Sequence, residues 1–260
     1  MKQISKKISN RNLVLILIWL ILLFSSILSL EILSSYLNSN PSQRIISSIW
    51  AGYVVSSDFD KSQINITSIS ASWIVPTAFP TTTDTYSSAW IGIGGFQPDK
   101  TLIQTGTEHD YFNGKDFYAA WYEILPDQAI RIEEIEVSPG DLIKASIELI
   151  DQQKNEWKIE IKDVTKNQEF SINLNYNSSM ISADWILERP TVQNQISSLA
   201  NFGSVNFTNC QAIINQISKP LGEYPHIIIT MTNDLSVRLA AVSSLNEKKT
   251  DFTVQFNKSS

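Results

Sequence analysis

Cysteine is almost missing from this chain of 260 residues: Cys210 stands alone, so no intrachain disulfide can form and stability has to come from the core. A single thiol of this kind reads as a small buried apolar group. Histidine is nearly as scarce. His109, His226 and one cysteine make no metal-ligand cluster of recognisable spacing, so neither a metal nor another cofactor is expected. Positive charge is also in deficit. The chain has 20 Lys and Arg against 26 Asp and Glu, a net charge of −6, and loss of the first thirty residues, with four basic and no acidic side chains, would take it to −10. That balance argues against nucleic acid as a partner, because binding a polyphosphate needs a surplus of cations. Beyond residue 45, no stretch longer than about a dozen residues keeps an apolar repeat of 3.6, and only residues 192–199 are expected to make a short helix. There is no internal repeat, and nothing in the sequence speaks to oligomeric state.

What the chain does have begins at its N-terminus. Lys2, Lys6, Lys7 and Arg11 precede an apolar run over residues 13–30 that is broken only by Ser25, Ser26 and Ser29. A basic start followed by such a run has the form of an export signal. As a helix rising about 1.5 Å per residue, the run would span about 27 Å, the lower limit for crossing a bilayer. Residues 1–33 are therefore expected to be an apolar helix serving as a signal peptide or as a membrane anchor, with membrane association through 13–30 in the second case. In both cases the clustered cations keep the N-terminus inside, so the remainder is extracellular or held at the cell surface. Residues 34–44, rich in Ser and Asn and containing Pro41, form a linker, and the folded domain occupies 45–260. Asn65, Asn177, Asn206 and Asn257 each head an N-x-S/T tripeptide open to glycosylation.

Period-two patterns fill the domain. Ile143, Ala145, Ile147 and Leu149 alternate with Lys144, Ser146 and Glu148, and Trp157, Ile159 and Ile161 alternate with Lys158, Glu160 and Lys162. Leu235, Val237, Leu239 and Ala241 repeat the pattern late in the chain. Each is read as a strand with one buried face. Pro139-Gly140-Asp141, Asn113-Gly114 and Asn233-Asp234 supply turns between such runs. About a dozen short strands in this length imply an all-β, mostly antiparallel sandwich of two sheets.

That architecture hosts lectins, glycanases and peptidases alike, so the site has to decide function. From the start of the domain the sequence carries, in order, Trp50-Ala51-Gly52-Tyr53, Ser72-Trp73-Ile74-Val75-Pro76, Ser88-Ala89-Trp90-Ile91-Gly92-Ile93-Gly94-Gly95 and Ile103-Gln104-Thr105-Gly106. Ala120-Trp121-Tyr122-Glu123, Ala183-Asp184-Trp185-Ile186-Leu187-Glu188 and Asn201-Phe202-Gly203-Ser204-Val205 follow. In this order and composition the blocks resemble those of the glutamic peptidases, also called eqolisins, from about Trp50 to about Phe207. The resemblance implies a β-sandwich of concanavalin A-like or jelly-roll type, with the site in the concave groove of one sheet. It also implies an endopeptidase acting on proteins or peptides at acidic pH without a cofactor.

Carried over position by position, Gln104 and Glu188 match the catalytic glutamine and glutamate, and Trp90 matches a tryptophan lining the site. Glu123 matches an acidic residue near the groove. Glu108 and Asp184 are supporting positions where relatives carry an aspartate and a glutamate. Gly94 stands where fungal members have an aspartate, and Ile124-Leu125 replaces an aromatic pair. Peptide hydrolysis without a nucleophilic side chain needs a base for water and a donor for the oxyanion, roles that Glu188 and Gln104 can fill. An unperturbed glutamate ionises near about 4.3, so an acid optimum requires a second carboxyl, Glu123 or Glu108, and a bell-shaped profile with its maximum below about pH 5 is expected. Two other readings stay open. A glycan-cleaving enzyme would need two carboxylates about 5–9.5 Å apart. Asp184 and Glu188, about 13 Å apart along one strand, are too distant, which leaves Glu123 with Glu188. The other reading is a non-catalytic binding module.

Overall fold

The computed structural model describes residues 42–56, 64–234 and 236–257. The basic start, the apolar run expected to form a helix, and nearly all of the linker lie outside the described residues, and no described helix is long and apolar enough to cross a membrane. The strands in chain order are β1 (Ser42–Ser47), β2 (Trp50–Ser56), β3 (Ile66–Ile74), β4 (Ser88–Gly94), β5 (Leu102–Phe112) and β6 (Lys115–Ile124). Next come β7 (Ile130–Ile132), β8 (Leu142–Asp151), β9 (Glu156–Asp163), β10 (Gln168–Asn175), β11 (Ser182–Glu188) and β12 (Thr191–Val192). The last six are β13 (Gln195–Ile196), β14 (Ser204–Ile214), β15 (Ile217–Pro220), β16 (His226–Thr232), β17 (Arg238–Val242) and β18 (Phe252–Phe256).

The all-β, mostly antiparallel reading matches this order. Instead of two separate sheets, hydrogen bonds join sixteen strands into one, along the path β10-β9-β8-β3-β14-β18-β17-β16-β2-β11-β4-β5-β6-β7, with β1 added on β16 and β15 on β14. The β1–β16 pair is parallel. The continuous sheet folds over, so that β4 and β5 pack against β8 without pairing with it. Ile143, Ala145, Ile147, Trp157, Ile159 and Ile161 all point into that core while Lys144, Glu148 and Glu160 stay outside, as the alternation requires. Asn113 and Gly114, with φ of 52° and 74°, make the two-residue hairpin that fixes the β5–β6 register.

Two expectations are corrected. Residues 192–199 are not helical: β12 and β13 form a small hairpin whose corner residues, Gln193 and Asn194, have φ of 51° and 64°, which a right-handed helix cannot hold. In β17 the buried residues are Ala240 and Val242, whereas Leu239 is only partly buried and Val237 is 41% exposed. Leu235 lies outside the described residues. The adjacent alanines Ala240 and Ala241 leave the parity open locally, and the partners settle it, since Ala240 pairs with Met231 and Val242 with Val254, both fully buried.

Candidate active site

Residues paired across antiparallel neighbours share a face, so the registers alone assemble one surface on β2, β11, β4, β5 and β6. Four rows cross it. Trp50, Glu188, Ser88 and Glu108 form one. Gly52, Ile186, Trp90, Gly106 and Trp121 form the next, followed by Val54, Asp184, Gly92, Gln104 and Glu123. Gly94 and Leu102 begin the fourth. This face has its own apolar cluster, separate from the main core: Val54, Trp90, Leu102, Trp121, Ile186, Ile227 and Ile229 are buried in it, with Trp50, Phe96 and Leu125 packed at its margins.

Trp90 is fully buried, so its part is to hold Glu188 and not to offer an open platform. Its indole Nε1 donates to Glu188 Oε2 at 2.8 Å, and Trp50 meets the Trp90 ring edge-on at 5.2 Å. The Trp50 N–H lies near enough to favour the Glu188 anion but outside hydrogen-bond geometry. The Trp90 position is fixed by missing side chains beside it. A Cβ on Gly106 would fall 2.5 Å from the Trp90 Cβ, and one on Gly92 would fall 3.0 Å from Cζ3 of its ring and 3.2 Å from the Gln104 Cβ. The indole thus lies between the Glu188 carboxyl at one end and the Gln104 strand at the other.

Glu188 keeps some exposure as a residue, while protein packs closely enough about its carboxyl to desolvate it. Burial pushes it up to about 7, against the pull of the two indole N–H groups and with a further push from the Glu123 charge. Burial thus favours the neutral carboxyl, and the unperturbed value assumed from sequence does not apply. Gln104 is 5% exposed; its Nε2 donates to Glu123 Oε2, and its Oε1 is buried with no hydrogen-bond partner. Burial raises Glu123 while the Gln104 amide and a backbone N–H lower it. Glu123 is thus engaged as the carboxyl that orients Gln104, which weakens the case for pairing it with Glu188 as a glycanase dyad.

The supporting positions divide. Glu108 lies across Ser88 from Glu188, raised by burial and lowered by Arg131. Two residues on, Asp110 was missed in the sequence. It is 5% exposed, accepts the Ser87 N–H, and is pushed up to about 8 by burial and the Glu108 charge. Its signal was the same-face spacing from Glu108 along β5. Asp184 is fully buried and lies level with Gln104 across Gly92; Ser182 Oγ donates to its Oδ2 at 3.2 Å, Oδ1, like the Gln104 Oε1, has no partner, and burial raises it well above the usual range. At Gly94, where relatives carry an aspartate, the space is filled from elsewhere in the chain: Asp99 Oδ2 lies 3.0 Å from where a Cβ would stand, bound to the Gly95 N–H and to Ser179. Among the described residues no three His, Cys, Asp or Glu side chains gather to hold a metal.

Residues 48–256 match the sequence model of the Peptidase A4 family. Aspergillopepsin-2 of Aspergillus niger is 35% identical over 130 residues, 48% of this chain and 45% of that protein. Scytalidopepsin B of Scytalidium lignicola is 28% identical over 189 residues, 68% of each. The crystal structure of scytalido-glutamic peptidase with a transition state analog inhibitor superposes with a TM-score of 0.67 at 22% identity, covering 81% of this chain and 99% of that one, a likeness of fold. The match to aspergillopepsin-2 spans under half of that relative's length. Because the matched span takes in the whole of the face that carries Trp50, Trp90, Gln104, Glu123 and Glu188, the chain belongs to the Peptidase A4 family, the glutamic peptidases.

Proposed function

We propose that this chain is an exported acid endopeptidase that hydrolyses peptide bonds with Glu188 and Gln104, on a sheet folded over as a two-layer sandwich. The observation that carries the reading is the Gln104 carbonyl oxygen, a buried acceptor without a donor. Left unsatisfied it costs about 1–3 kcal/mol, and a water held for attack satisfies it. Glu188, two rows along the same face, is the carboxyl we assign to that water, and burial raises it to about 7.

A neutral carboxyl supports both halves of the addition. One Glu188 oxygen gives its proton to the scissile carbonyl oxygen while the other takes a proton from the attacking water, so the C–O bond forms and Glu188 ends as it began. The second Nε2 proton of Gln104 donates to the tetrahedral oxygen, an interaction worth about 2.7–4 kcal/mol in comparable oxyanion sites. In collapse Glu188 protonates the departing amine and recovers the hydroxyl proton, and the C–N bond breaks. On this account the acid preference comes from Glu188 itself, and no second titrating carboxyl is required.

The first test is digestion of an unfolded protein such as casein by the purified chain at about pH 4. Cleavage that persists in EDTA is expected, and the absence of cleavage at any pH between about 2 and 6 would refute the reading. Export follows from the basic start and the apolar run. Fractionation of cells making the full chain should find residues 45–260 on the outer side of the membrane or in the medium, and recovery only from the cytoplasm would oppose export.

A further inference from the structure

Beside Gln104 the catalytic face carries an apolar wall that the hydrolytic step does not use. Leu102 and Leu125 stand two residues from Gln104 and Glu123 respectively, on neighbouring strands. Leu125 donates its N–H to the Leu102 carbonyl at 2.9 Å, which prolongs the β5–β6 ladder past Ile124. Leu102 is held in place by glycine: a Cβ at Gly92 would fall 2.9 Å from its Cδ1, and one at Gly95 would fall 3.0 Å from its Cδ2. Phe96, next to Gly95, packs on the same cluster.

Tyr176 locks the wall from behind. Its hydroxyl accepts the Leu102 N–H at 2.7 Å and donates to the Leu125 carbonyl at 3.1 Å. The wall is therefore set before any substrate arrives. Leu102 is 4% exposed, yet Phe96 and Leu125 keep part of their apolar surface open to solvent. Half-open apolar side chains fixed on a rigid ladder beside a buried polar pair have the make-up of a side-chain pocket: an apolar lining with a few placed polar groups at its end.

We propose that Phe96, Leu102 and Leu125 form a subsite that receives a large apolar side chain on a residue flanking the scissile bond, so that this chain cleaves selectively next to residues such as Leu, Phe or Met. The assignment rests on the peptidase reading. A polar or charged side chain there would lose its water and meet the carbon of Phe96, Leu102 and Leu125.

Mapping the products of an unfolded protein by mass spectrometry, followed by kcat/KM on short peptides that differ only at that residue, tests the subsite. Wild type should favour Leu or Phe over Gly or Ser by at least about tenfold, the discrimination one or more buried methylenes supply. Leu125→Ala and Phe96→Ala, both at partly exposed positions, should lose most of that preference by lowering kcat/KM for the Leu and Phe peptides while leaving the Gly peptide within about twofold. Cleavage by wild type without apolar preference, or an unchanged preference in both variants, would overturn the subsite and leave the peptidase reading standing. A wild type that cleaves nothing would overturn both.

Discussion

Glu188→Gln is expected to lower kcat/KM by roughly 10²–10⁴ at pH 4 while the protein stays folded. The substitution is close to isosteric, and its amide oxygen can still accept the Trp90 N–H that now reaches Glu188 Oε2. At pH 4 burial keeps the native carboxyl neutral, so exchanging it for a neutral amide changes no buried charge, and the melting temperature at that pH should hold. What disappears is the transferable proton. An amide cannot give one to the carbonyl oxygen and take one from water, so both halves of the addition are lost together. Turnover is measured with a peptide substrate and folding with near-ultraviolet circular dichroism. If the variant keeps more than about a tenth of wild-type turnover, Glu188 is not the group that moves the proton, since loss of general acid–base catalysis should exceed that.

Much of the fold was legible because some strands spell out their buried face. Ile143 to Ile147 and Trp157 to Ile161 alternate large apolar with charged residues, and the core follows them. Where the alternation is carried by small residues it fails: Ala240 and Ala241 leave the facing of β17 to its neighbours, Met231 and Val254. The hairpin at 191–196 escaped because its turn uses Gln193 and Asn194, and glutamine is not a residue that announces a left-handed corner.

The site divides the same way. Gln104, Glu188, Trp90 and Glu123 stood out as residue types within blocks. What joins them is register, which is not written in any one block: Glu123 reaches Gln104 only because Asn113-Gly114 sets the β5–β6 pairing, and Trp50 comes to Trp90 only through β11. Burial is also invisible locally. The sequence suggests an ordinary glutamate at 188, and burial raises its carboxyl to about 7 against the pull of the two indole N–H groups. The Tyr176 hydroxyl that pins the apolar wall belongs to a residue just past β10, far from either strand it holds.

The pH dependence of kcat/KM tests the central claim most directly. On the proposed mechanism the neutral form of Glu188 reacts, so activity should be retained across the acid range and decline by about tenfold per pH unit above the value near 7 to which burial raises it. Trp90 lowers that value by donating to the carboxylate, so Trp90→Phe, which keeps the ring and removes the N–H, should move the decline to higher pH. A rate that instead climbs from pH 5 through pH 8, with Trp90→Phe shifting the rise upward, would mean that the ionised carboxylate is the reacting form and would contradict the account.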